Sequence, residues 1–129
     1  MLINASHFPR VWLHLIDKTQ STEEGFALYL ELLERGESFV LLNAEGLDFS
    51  AYPQSKDEMQ YVAQWRKTHR ALLRQRVLAA IFIEPDAALR DAAQEFAVGY
   101  SKFWGYPMLI VASETEALLT ADRLLSAQQ

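Results

Sequence analysis

The sequence predicts an α/β fold in which a mostly parallel sheet of four or five strands is flanked by helices. Short apolar runs of strand character alternate with amphipathic helical stretches along the 129 residues, which is typical of βαβ units. Half of the residues are apolar and 22% are charged, a balance that indicates a single globular domain over residues 1–129. A chain of this size buries roughly two-thirds of its unfolded surface, so it needs no metal or disulfide to fold.

The first strand is predicted at about Arg10–Ile16, because apolar residues occur on both of its alternating faces. Ser21 and Glu24 have the spacing of a capping box and predict the start of a helix. Gly36 supplies a left-handed residue that can end this helix. The predicted inner face of the helix consists of Phe26, Tyr29, Leu30 and Leu33.

A central strand is predicted at Phe39–Leu42, since a short continuous apolar run is typical of a strand buried on both sides. The segment Ala44–Gln54 is predicted to be the longest loop, because its glycine, proline and small residues suit neither a helix nor a strand. Ser55 and Glu58 repeat the capping-box spacing and open the longest helix, which is predicted to continue to about Arg76. Its apolar face consists of Met59, Val62, Trp65, His69, Leu72 and Leu73.

The second half of the chain repeats this alternation. A strand at Val77–Ile83 is followed by a helix capped by Asp86 and running to about Trp104, and a strand at Met108–Ala112 precedes a last helix capped by Ser113. The predicted inner residues of these two helices are Leu89, Ala93, Phe96, Tyr100 and Phe103, and then Ala117, Leu118, Ala121, Leu124 and Leu125.

Composition excludes several classes of function. The absence of cysteine excludes a disulfide scaffold, a thiolate metal site and a cysteine nucleophile. A net charge of −5 argues against nucleic-acid binding, and no apolar run approaches the roughly 20 residues that span a bilayer. The five glycines form neither a phosphate loop nor a dinucleotide fingerprint, and no serine elbow occurs. We therefore expect a cytoplasmic protein with no metal, no cofactor and no catalytic motif.

Acidic residues follow several predicted strands, where open α/β sheets bind ligands. Asp17, Glu45 and Glu84 could form a pocket that orients a small molecule or performs acid–base chemistry. A structural interpretation competes with this one, because Asp86 and Ser113 stand where helix N-caps belong. A small-molecule sensor or enzyme that uses these carboxylates is the alternative function.

The middle of the chain is basic, with six basic and two acidic side chains in residues 49–83. Arg66, Arg70 and Arg74 are spaced by four on the predicted long helix, so they would form a cationic ridge. Such a ridge can bind a phosphate or an acidic partner surface, or it can be a solvated helix face. Of the aromatic residues, Tyr100 and Phe103 fit the core, whereas Tyr52 and Trp104 adjoin turns and are candidates for partner contacts.

Four stretches carry a resemblance to a known family. They are Phe8–Val11 before the first strand, Glu34–Leu41 entering the second, Trp65–Arg70 on the long helix, and Glu116–Leu118 in the last helix. Over nearly its whole length the chain resembles small bacterial SpoIIAA-like proteins of the STAS class (sulphate transporter and anti-sigma-factor antagonist). The resemblance implies a STAS-type sheet flanked by helices and a non-enzymatic role through protein contacts, switched by phosphorylation or by a small ligand.

In regulatory STAS domains, the switch is a serine near the start of the helix after the central strand, within an Asp-Ser-Ser-Gly-like motif. The corresponding segment here, Glu45–Ser55, departs from that motif. Ser50 and Ser55 are positional candidates, and Ser55 is also explained as an N-cap.

The leading hypothesis is therefore a protein-interaction domain that contacts a partner through residues 44–54 and the following helix. The residues predicted to contact the partner are Asp48, Ser50, Tyr52, Ser55, Arg66, Arg70, Arg74 and Trp104. Self-association through the aromatic residues is a further possibility.

Overall fold

A computed structural model describes residues 1–17, 19–47 and 55–128. In this part of the chain, five strands form one sheet in the order of the sequence. They are β1 (Leu2–Asn4), β2 (Arg10–His14), β3 (Phe39–Asn43), β4 (Val77–Ile83) and β5 (Met108–Val111). Strand β1 is antiparallel to β2, and all other neighbours are parallel. The predicted α/β class with a mostly parallel, helix-flanked sheet is confirmed, and β1 is an antiparallel edge strand.

The helices follow the parallel strands along the chain. They are α1 (Thr22–Glu34), α2 (Lys56–Thr68), α3 (Arg70–Arg76), α4 (Ala87–Ala92), α5 (Gln94–Trp104) and α6 (Glu114–Ser126). Three predicted N-caps are confirmed: Ser21, Ser55 and Ser113 each accept a hydrogen bond from the backbone amide three residues later. Asp86 accepts from the amides of Ala88 and Leu89 and caps α4.

Two predicted helices are each broken at one residue. The helix predicted from Ser55 to Arg76 breaks at His69, and the helix predicted to run to Trp104 breaks at Ala93. Backbone hydrogen bonds continue across both breaks, for example from the Leu73 amide to the His69 carbonyl. The apolar pattern is therefore almost unchanged on either side, and a local bend cannot be detected from periodicity.

The sheet separates two apolar clusters, since successive side chains of a strand point to opposite faces. Leu41 and Phe82 contribute to a large cluster with α1, α3 and α5, whereas Val40 and Ile81 contribute to a smaller cluster with α6. All four side chains are at most 2% exposed. Helices α1, α2, α3 and α5 thus pack on one face of the sheet, and α6 packs on the other.

Four residues predicted to face inward are exposed. The exposed fractions are 58% for Met59, 38% for Leu89, 46% for Phe96 and 37% for Phe103. Three of them, Met59, Phe96 and Phe103, line a cavity. Among the described residues, no helix is both long and apolar enough to cross a membrane.

Candidate functional site

A cavity of about 520 Å³ lies between the sheet and helices α1, α2 and α5. This volume is within the range of small-molecule sites in proteins, roughly 300–1,000 Å³. The described residues that line it are Met1, Leu13, Leu15, Thr22, Phe26, Tyr29, Leu41, Glu58, Met59, Val62, Ala63, Phe82, Phe96, Tyr100, Phe103, Trp104 and Tyr106. The sheet contributes Leu13 and Phe82 from the carboxyl halves of β2 and β4, near the edge where α/β sheets bind ligands, and Leu41 from the middle of β3.

Aromatic rings form much of the cavity wall. The ring centroids of Phe26 and Trp104 are 6.4 Å apart in a stacked arrangement, and those of Trp104 and Tyr106 are 6.1 Å apart, also stacked. Tyr100 lies edge-on to Tyr106 at 5.9 Å. These contacts join α1 and α5 to the segment before β5, so the wall is built from distant parts of the chain.

Three tyrosine hydroxyls form a hydrogen-bonded chain, which we call the tyrosine triad. The Tyr29 hydroxyl donates to the Tyr106 hydroxyl at 3.1 Å, and the Tyr100 and Tyr106 hydroxyls are 3.3 Å apart. Burial raises the pKa of all three hydroxyls well above the usual tyrosine value, because the phenolate would be desolvated. The triad therefore stays neutral across the physiological pH range.

One side of the cavity contains polar groups and partly exposed apolar residues. The Thr22 hydroxyl donates to the Glu58 carboxylate at 3.3 Å, joining the starts of α1 and α2. Phe103 is covered by the Arg66 guanidinium, whose central carbon lies 4.5 Å from the ring centroid. We call the exposed Met59, Phe96 and Phe103 the rim of the cavity.

The predicted partner-contact residues have different locations. Asp48, Ser50 and Tyr52 lie outside the described residues. Ser55 caps α2 by accepting from the Glu58 amide at 3.1 Å. Trp104 is half-buried in the cavity wall.

The three arginines predicted to form a ridge have three different environments. Arg66 is half-buried over Phe103, whereas Arg70 is exposed at the start of α3. Arg74 packs against Gly105, where an added Cβ atom would lie 2.9 Å from the arginine Cγ atom. Gly105 has a φ of 87°, so glycine is favoured there by conformation as well as by space. The break at His69 also means that the arginines do not lie on one continuous helix.

Glu45, one of the predicted pocket carboxylates, binds the backbone beyond β2. It accepts from the amides of Leu15 at 2.7 Å and Ile16 at 3.0 Å. The Asn43 side-chain amide donates to the same carboxylate at 2.9 Å. Glu45 thus joins the ends of β2 and β3.

The carboxylates of Glu84 and Asp17 also accept hydrogen bonds from protein groups. Glu84 is 7% exposed and accepts from the amides of Leu47 at 3.0 Å and Asp86 at 3.1 Å. Hydrogen bonds from the hydroxyl and amide of Thr19 lower the pKa of the Asp17 carboxyl. None of the three predicted carboxylates is among the described residues that line the cavity. No group of three or more potential metal-ligating side chains occurs in the described ranges.

The sequence analysis did not identify the tyrosine triad as a site. Tyr29 and Tyr100 were predicted on inner helix faces, but 77 residues separate Tyr29 from its hydrogen-bonding partner Tyr106. The one available signal was chemical, since tyrosine on an inner face brings a hydroxyl that must find a partner.

Fold and cavity together define an α/β protein with an aromatic-walled apolar pocket. Comparisons of the chain with protein-family models, with curated proteins and with solved structures found no match. A functional assignment therefore depends on the geometry of this pocket.

Proposed function

We propose that the protein binds a small, largely apolar molecule in the cavity and acts as a sensor or carrier. The cavity itself carries this proposal. Small-molecule sites are typically concave, mostly apolar clefts with a few convergent polar groups, so an apolar cavity of about 520 Å³ that is lined by the tyrosine triad supports a ligand site. Burial of apolar ligand surface would stabilise the complex by roughly 25 cal/mol per Å² before the cost of binding.

The polar groups of the cavity support binding more than acid–base chemistry. The tyrosine triad is neutral, and the Glu58 carboxylate already accepts from Thr22. Neutral hydroxyls on an apolar wall orient a ligand through hydrogen bonds.

A cavity-filling substitution tests this function. Ala63 lines the cavity from α2, so Ala63→Phe should place a ring in the ligand space. We expect wild-type protein to bind the neutral apolar dye Nile red with one site per chain, measured by its fluorescence increase. The variant should bind at least about tenfold more weakly, a loss of roughly 1.4 kcal/mol.

Ala27→Phe is the matched control, because Ala27 is exposed on α1 and does not line the cavity. It should bind the dye as wild type does, and thermal melting should show that both variants are folded. Failure of wild type to bind the dye, or equal binding by the Ala63→Phe variant, would contradict the proposed function.

We also propose a more specific fold, a SpoIIAA-like fold of the STAS class. A helix follows each parallel strand, and the strands keep their sequence order in the sheet, which supports the resemblance. A regulatory role in the bacterial cytoplasm belongs to the same proposal.

A second candidate function is protein contact at the rim, with a second copy of the chain as the simplest partner. The observation that favours it is the exposure of three apolar side chains, 58% for Met59, 46% for Phe96 and 37% for Phe103. Adjacent exposed apolar side chains are typical of contact surfaces.

A further inference from the structure

The tyrosine triad contains more hydrogen-bond donors than it can use internally. Each hydroxyl has one hydrogen, so three hydrogens are available for the two contacts between Tyr29, Tyr106 and Tyr100. One hydrogen is therefore left over. If Tyr100 donates to Tyr106, the Tyr106 hydrogen has no partner in the triad. If Tyr106 donates to Tyr100, the Tyr100 hydrogen has none.

No acceptor for this hydrogen occurs among the described residues around the triad, whose hydroxyl contacts are those with one another. A buried donor without an acceptor is destabilising, because it loses its hydration and gains no hydrogen bond in return. Because all three tyrosines line the cavity, a molecule in the cavity can supply the missing acceptor. The triad can thus offer one donor to a ligand.

The charge of the cavity restricts which acceptor is suitable. Among the described residues, the charged groups at the cavity are the Glu58 carboxylate, the Met1 ammonium, which donates to the Gln20 carbonyl at 3.3 Å, and the Arg66 guanidinium over the rim residue Phe103. An anionic ligand would lose its hydration and meet the Glu58 carboxylate in the same cavity, and burial of a charge is costly. A neutral oxygen acceptor avoids this cost.

We propose that the ligand is an uncharged molecule with an apolar body and a carbonyl oxygen, as in a ketone or an ester, and that the tyrosine triad donates a hydrogen bond to that oxygen. This inference rests on the proposed ligand-binding function and specifies the chemical class of the ligand. The aromatic wall formed by Phe26 and Trp104 favours a flat body that can contact ring faces.

Three probes of similar shape test the inference by isothermal titration calorimetry. They are 2-acetylnaphthalene, which carries a ketone, 2-isopropylnaphthalene, which carries no acceptor, and 2-naphthoate, which carries a charge. We expect wild type to bind the ketone about three- to tenfold more tightly than the hydrocarbon, the effect of one net hydrogen bond. The carboxylate should bind more weakly than both.

The triple variant Tyr29→Phe, Tyr100→Phe and Tyr106→Phe removes all three hydroxyls and nearly preserves the cavity shape. It should lose the preference for the ketone, so that the ratio of ketone to hydrocarbon affinity falls to about one. Tyr61→Phe is the control, since Tyr61 packs on Phe26 but does not line the cavity, and it should retain the preference.

The outcomes separate the two proposals. If neither neutral probe binds wild type, the proposed function and this inference both fail. If both neutral probes bind wild type equally, the cavity binds apolar ligands but the carbonyl assignment is overturned. The assignment is also overturned if 2-naphthoate binds most tightly, or if the triple variant keeps the ketone preference.

Discussion

At the scale of single residues, the carboxylates depart most from the role that their residue type and position predict. Glu45 and Glu84 follow strands, where catalytic acids are often found, yet each carboxylate accepts backbone amides of a neighbouring segment. Tyr29, Tyr100 and Tyr106 show the reverse. The positions of Tyr29 and Tyr100 predict core packing, but the hydroxyls of all three are polar groups of the candidate site.

The tyrosine triad should make stability depend on alkaline pH. The folded state holds the three protons more tightly than the unfolded state does, because burial raises the tyrosine pKa. Its contribution is fully present below the unfolded pKa of about 10 and is lost as pH rises above that value. We expect urea unfolding between about pH 9 and pH 11 to show a decline of at most roughly 1.4 kcal/mol per pH unit for each tyrosine.

The triple phenylalanine variant should show a shallower decline than wild type, whereas Tyr61→Phe should follow wild type. A triple variant that loses stability as steeply as wild type would show that the triad does not cause the decline.

At the scale of elements, α6 differs from α1, α2, α3 and α5 because it packs on the opposite face of the sheet. It contacts β3, β4 and β5. Ala117 and Ala121 are fully buried against this face. Small residues at these positions allow the helix to approach the sheet closely.

Enlarging this contact should destabilise the fold. Ala121→Leu adds three carbon atoms to a fully packed position, and overpacking of this kind costs about 1–3 kcal/mol. The free energy of unfolding, measured by urea denaturation, should fall by that amount. Ala27→Leu makes the same change at an exposed helical position and should alter stability by less than about 0.5 kcal/mol. Equal effects of the two substitutions would contradict close packing of α6.

At the scale of the whole molecule, the two faces of the sheet differ in how closely they are packed. The α6 face is packed, whereas the opposite face contains the cavity between the sheet and α1, α2 and α5. The exposed rim residues Met59, Phe96 and Phe103 lie on this side. Ligand binding and protein contact would therefore involve the same side of the protein.

Self-association through the rim can be measured by sedimentation velocity over a range of concentrations. Replacing Met59 and Phe96 together by serine should weaken a dimer by about tenfold or more, because central apolar contacts each contribute on the order of 1 kcal/mol or more. Leu119→Ser is the control, since Leu119 is 55% exposed on α6, on the other face. A wild-type protein that remains monomeric at every concentration would contradict self-association.

The predictions that proved accurate depend on neighbouring residues. Ser21, Ser55 and Ser113 cap helices because each hydroxyl needs only an amide three residues away. Strand β4 has the predicted bounds Val77–Ile83 because its apolar run is continuous. The break at His69 was not predicted, since a bend of one residue leaves the apolar periodicity almost unchanged.

The sequence by itself therefore determined the α/β class, the alternation of the four parallel strands with helices, and most helix starts, because capping and periodicity act over a few residues. The tertiary structure alone decided that Tyr29, Tyr100 and Tyr106 meet, and that Phe26, Phe82 and Trp104 surround open space. Those contacts join residues far apart in the chain. Their geometry depends on how several helices pack on one sheet, and no local pattern encodes that packing.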